Sequence, residues 1–136
     1  MNLYFVYYFI LDTILDIFSY NTIQCIKSYP RVLPILIYHH LISCFILAGW
    51  LFNFTPILLV HILAVIGTII YWRYNDNLCD LTVYVNKICG WNERKPFHDL
   101  LDIIGLKRLK TWNELGHYLF ILSGACISLY KIINNY

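Results

Sequence analysis

The chain has 136 residues, of which 60% are hydrophobic and only 13% charged, against about 25% charged in an ordinary soluble domain. A soluble chain of this length cannot hide so much apolar surface. The net charge of +2 is too mild to point to nucleic acid, so what matters is where the charges sit.

Four membrane spans are predicted, at about residues 3–20, 33–52, 55–73 and 116–133, with a connection over residues 74–115. The expected fold is therefore all-α, an integral membrane bundle of four helices forming a single domain. The second and third spans carry the clearest signal. Each is close to the 20 residues or so that a helix needs to cross a hydrocarbon core of roughly 30 Å. Neither apolar run, residues 33–52 or 55–72, holds an Asp, Glu, Lys or Arg, and Asn53 and Phe54 alone separate them. The first run is apolar and aromatic but contains Asp12 and Asp16, so an interfacial position competes with a crossing. The fourth extends from residue 130 to 133 if Lys131 snorkels to the surface.

Within the long connection, Asp80 is expected to cap a short helix over residues 81–88, with Gly90 just beyond its end. Pro96 suits the first position of another over residues 97–104, with Gly105 placed to stop it. These short helices are expected to lie along the inner interface, followed by the basic, aromatic run from Lys107 to Trp112. Lys107, Arg108, Lys110, Trp112 and Trp72 are the interfacial residues. They fit ordinary interfacial packing, or attachment to an anionic lipid or a protein partner at that face.

Basic residues set the expected orientation, because Lys and Arg are retained on the cytoplasmic side. Nine of the ten fall in the connections 21–32 and 74–115 or, as Arg73, at the end of span three beside the long connection, and Lys131 is the exception. The long connection is thus expected in the cytoplasm and both termini on the opposite side. Trp50 and Tyr130 would mark the outer interface; Trp72, Tyr74, Trp112 and Tyr118 would mark the inner one. The N-terminal run lacks the basic start and small-residue cleavage site of a signal peptide.

Polar groups inside the spans are the functional candidates. Asp12 and Asp16 are four apart and share a helix face. At a rise of about 1.5 Å per residue, Asp16 lies roughly 6 Å and Asp12 roughly 12 Å from the inner end of span one, with His40 roughly 10 Å deep on span two. A cluster of Asp12, Asp16 and His39 or His40 is the expectation. It would serve as a packing device with hydrogen-bonded tyrosines, as a buried charge pair, as a proton relay, as a metal site, or as an acid–base centre with His40 oriented by an aspartate. His61 lies near the outer end of span three, so it does not share a depth with His40. That separation disfavours a haem between them, and no cofactor or bound metal is expected.

The five cysteines form no metal or redox motif by spacing: Cys79 and Cys89 are too far apart for a C-x-x-C pair. On a cytoplasmic face they are expected to be reduced, with Cys25 open to acylation. Cys44 and Cys126 fall within spans. Asn53, Phe54 and Thr55 match the glycosylation sequon, but Pro56 follows and the site is pressed against the membrane. Gly124 with Ser128, and Ala64 with Thr68, allow close helix approach and leave room for self-association.

The stretch His40-Leu-Ile-Ser-Cys-Phe-Ile-Leu-Ala-Gly-Trp-Leu, then His61-Ile-Leu-Ala-Val-Ile-Gly, then Trp72 and Asn75-Asp76-Asn77-Leu78-Cys79-Asp80-Leu81-Thr82, resembles small multispan membrane proteins of giant DNA viruses. A looser likeness is to a bacterial membrane family with a Cys-x-Leu-Thr segment after a histidine-bearing span. The resemblance covers about residues 38–104 and implies a polytopic protein of a viral or host membrane; it carries no catalytic role. The function expected is structural or interactive, with the bilayer as first partner. A membrane enzyme or a proton- or ion-conducting bundle built on the Asp/His cluster is the alternative.

Overall fold

The computed structural model describes residues 2–75, 78–92 and 116–134, all helical or in connections, with no strand among them. Among these described residues six α-helices follow in order: α1 Leu3–Ile17, α2 Tyr20–Ser28, α3 Val32–Ala48, α4 Thr55–Tyr74, α5 Asp80–Ile88 and α6 His117–Ile133; a 3₁₀ turn, Gly49–Leu51, extends α3. The expected helix over residues 97–104 and the run Lys107, Arg108, Lys110 and Trp112 lie outside the described residues.

Among the described residues, two helical segments, Val32–Leu51 and Thr55–Tyr74, are long and apolar enough to cross a membrane. They coincide with the expected central hairpin to within a residue or so. The turn between them is short because Pro56 in the first turn of α4 starts the helix at once, its fixed φ and missing N–H suiting that position.

The first segment departs from the expected single span. α1 ends at Ile17, and the chain then bends by 79° into α2. Ser19 is extended, with φ −62° and ψ 140°, and its hydroxyl hydrogen-bonds that of Thr22 at 2.8 Å. The hydroxyls and Asn21 cluster where the apolar run gives out, so a new helix starts there rather than the old one continuing. Counted as one bent span, α1 and α2 bring the number of candidate crossings among the described residues to three; α6, apolar over Tyr118–Ile133, is shorter.

α3 is the hub, touching α1, α2, α4, α5 and α6, while α4 packs mainly on α6 and α1 mainly on α3. Three apolar clusters surround it. At the end nearest the long connection, Cys25, Val32, Leu36 and Val85 join α2, α3 and α5. Ile46, Val65, Ile121 and Ala125 join α3, α4 and α6, and Phe5, Cys44 and Ala48 join α1 to α3. The outward faces of α4 and α6 remain apolar, with Leu59, Leu63, Ile70, Leu119 and Leu129 each at least half exposed. Side chains that apolar and that exposed match a lipid-facing surface.

α5 begins one residue earlier than expected. Cys79 is its extended flanking residue and Asp80 lies inside the first turn, so Asp80 is not the cap. Its carboxylate instead accepts from the Asn75 amide at 3.1 Å, which still places negative charge at the positive end of the helix. Gly90 follows α5 with φ +66°, the left-handed geometry that glycine accepts without strain.

The cysteines are corrected more sharply. Cys25 and Cys89 form a disulfide across 64 residues, with Cα atoms 5.4 Å apart. Neither is a reduced thiol, and Cys25 is not open to acylation. Spacing alone does not reveal such a pair, since the connectivity depends on α2 and α5 meeting beside the start of α3.

Candidate functional site: two buried histidine clusters

Asp12 and Asp16 sit one turn apart on α1, and His40 faces them from α3. The Nδ1 of His40 is 2.7 Å from Oδ2 of Asp12 and its Nε2 is 3.1 Å from Oδ2 of Asp16. The ring is therefore bridged along the α1 axis, one carboxylate to each nitrogen. All three groups are enclosed, with exposures of 3% for Asp12, 1% for Asp16 and 1% for His40. The Cys44 thiol, one turn beyond His40 on α3, points at the same Asp12 oxygen from 3.6 Å.

Proton count follows from geometry. A carboxylate only accepts, so both contacts are made together by a ring carrying two N–H groups, or by a ring with one N–H and one protonated carboxyl. In either form three groups share two protons. Interconversion between those forms needs no proton from outside, merely a shift along one of the two hydrogen bonds. Charge-assisted bonds of this type are roughly twice as strong as neutral ones.

His39 is the neighbour that does not join. Adjacent helical residues diverge by about 100°, as 3.6 residues per turn requires, and its ring meets that of His40 edge-on with centroids 5.8 Å apart. Its Nε2 lies 3.3 Å from the hydroxyl of Thr82 on α5. The two histidines thus serve different helix pairs: His40 ties α3 to α1, and His39 ties α3 to α5.

His61 forms a second, separate cluster. Its Nε2 lies 3.1 Å from the Ile46 carbonyl and its Nδ1 lies 2.8 Å from the Ser128 hydroxyl. A carbonyl can only accept, so Nε2 carries the proton; in the neutral ring Nδ1 accepts from Ser128. His61 and Ser128 are both fully buried. The Ile46 carbonyl belongs to the last turn of α3, where carbonyls lack partners from their own helix. Trp50 Nε1 donates to the next one, Leu47, at 3.0 Å. One imidazole thereby joins α4 to α3 and to α6.

Close backbone approach makes room for that ring. A Cβ on Gly49 would run into the His61 imidazole, and one on Gly124 would come within 2.9 Å of Trp50 Cδ1 and 3.6 Å of His61 Cε1. Phe45 meets the same ring edge-on at 5.7 Å. Gly124 leaves room for the Trp50 and His61 side chains, and Ser128 supplies a hydrogen bond to His61 that its spacing alone did not announce. A signal was available: His61 and Ser128 lie about equally far from the helix ends nearest the α3–α4 turn.

That turn has a cation of its own. Lys131 Nζ donates to the carbonyl of Trp50 at 2.9 Å, to that of Phe52 at 3.4 Å and to Oδ1 of Asn53 at 2.9 Å. A positive charge there complements the negative end of the α3 dipole. Asn2, at the start of α1, donates to the Leu51 carbonyl. At the opposite end Trp72 meets Tyr118 edge-on, with centroids 6.1 Å apart.

His40 and His61 do not converge on one centre, and each is engaged at both ring nitrogens. Among the described residues, no group of three or more His, Cys, Asp or Glu side chains has the arrangement of a metal site. No family model, curated protein or solved structure matches the chain.

Proposed function

We propose that the chain is a multi-pass membrane protein with a structural or interactive role, its helices held in register by two buried polar clamps. The observation that carries this reading is the closure of the Asp12–His40–Asp16 cluster. Its groups are enclosed and bonded to one another across α1 and α3, which is how a packing device is built. A catalytic acid or base has instead to reach a reacting atom. Leaving one polar group of such a cluster without its partner is costly in a low-dielectric interior, so the set specifies one helix pairing. The bilayer is the first partner, and the apolar outward faces of α4 and α6 are the surface offered to lipid. A viral or host membrane is the setting that the sequence resemblance suggests.

One observation favours a second reading, a proton-conducting bundle. The ring of His40 touches a different carboxylate at each nitrogen, so a proton accepted at one side and released at the other moves one helical turn along α1, about 5.4 Å.

Asp16→Asn separates the two. In the structural reading, vesicles containing the wild-type chain leak protons no faster than empty ones, and the variant loses thermal stability in detergent. In the conducting reading, wild-type vesicles show proton flux and Asp16→Asn abolishes it while the protein remains folded and monodisperse.

A further inference from the structure

The Cys25–Cys89 disulfide bears on which side of the membrane the long connection occupies. Cys25 lies on α2, just before α3, and Cys89 lies just after α5, beyond α4. If α3 and α4 form a membrane hairpin, as proposed above, two crossings separate these cysteines and parity places both on one face. That holds however α1 and α6 are disposed. We infer that this face, with α2, α5 and the connection that follows, lies in an oxidising compartment, and that the α3–α4 turn with Asn53 and Lys131 faces the cytoplasm. The orientation is the reverse of the one that the basic residues suggest.

Two indications compete. Retention of Lys and Arg is a bias acting during insertion. A disulfide is a covalent product with a redox requirement: the Cys25 and Cys89 thiols lose two electrons and two protons. The acceptor is a disulfide-carrying oxidoreductase. The thiolate of one cysteine attacks its disulfide, and the second thiolate resolves the mixed disulfide, leaving the Cys25–Cys89 bond and a donor dithiol. That chemistry persists in the ER lumen, the periplasm or the exterior, and is rare in a cytosol that keeps thiols reduced. The pair is also part of the packing. Cys25 is buried with Val32, Leu36 and Val85, while Cys89, Ile88 and Trp91 pack against them, so the bond staples α2 to α5 beside α3.

Asn53 begins the glycosylation sequon, yet its side-chain oxygen accepts from Lys131 at 2.9 Å. A cytoplasmic turn leaves that sequon unmodified.

The test uses the full chain inserted into sealed ER-derived vesicles, with three readouts. Under denaturing conditions a maleimide mass tag is expected to label three thiols, Cys44, Cys79 and Cys126, and five after reduction. Trypsin added outside the vesicles should spare the sites between Arg94 and Lys110, and should cut there once detergent opens the vesicles. The chain should also stay with the membranes through an alkaline wash. Five tags without reduction, or cleavage at those sites in sealed vesicles, overturns the orientation while leaving the membrane hairpin intact. Release by alkali overturns the hairpin itself. A Cys25→Ser chain should carry four tags before and after reduction; two tags before reduction would show a different pairing and overturn the assignment.

Discussion

The two histidine clusters use the same side chain for the same task by different means. His40 bridges two carboxylates and joins α1 to α3 by charge-assisted bonds. His61 bridges a hydroxyl and a backbone carbonyl and joins α4 to α3 and α6 by neutral ones. A charged clamp is strong when complete and costly when broken, because each remaining ion keeps its desolvation penalty. A neutral clamp loses less, and its cost is dominated by the fit of the ring among Gly49, Gly124 and Phe45. What separates the clusters is therefore how each fails.

The largest effect is expected at the charged cluster. His40→Leu leaves Asp12 and Asp16 without the ring that bridges them, and a loss of about 3–5 kcal/mol is expected in equilibrium unfolding in detergent. A loss below about 1 kcal/mol, no more than one neutral hydrogen bond is worth, would show that the carboxylates do not depend on His40.

Shape should matter more than bonding around His61. Gly49→Ala drives a methyl group into the imidazole, and overpacking of this kind costs about 1–3 kcal/mol. Ser128→Ala removes one neutral hydrogen bond and strands Nδ1, for about 1 kcal/mol. If Ser128→Ala proves worse than Gly49→Ala, the hydrogen bond rather than the fit governs this clamp. Gly67 supplies the control on α4. A Cβ there meets nothing within 4 Å, so Gly67→Ala should gain about 0.5–1 kcal/mol from helix propensity alone.

The charged cluster was more legible in the sequence than the neutral one. Asp12 and Asp16 announce a shared helix face by their spacing of four, and counting residues inward from the helix ends brings His40 to their depth. That count leaves His39 and His40 equally eligible, and the helical phase of α3 decides between them. The partners of His61 were hidden. Ser128 has the look of a small packing residue, and the Ile46 carbonyl becomes available where α3 tightens into the 3₁₀ turn, a change no residue type marks. The central hairpin was readable because two runs free of charged residues flank a two-residue break. The bend after Ile17 was less so, since Asp12 and Asp16 already disturb the apolar pattern before the helix ends there. Cys25 and Cys89 are brought together by three helices, a tertiary fact with no local signature.

The most direct measurement compares the unfolding of His40→Leu with that of the triple variant Asp12→Val, Asp16→Val, His40→Leu. A charged clamp whose cost lies in stranded ions predicts that the triple variant recovers most of the 3–5 kcal/mol or so lost by the single one, since a buried ion set can be replaced by apolar side chains with little loss. A triple variant no more stable than the single, or a single variant as stable as the wild-type chain, contradicts it.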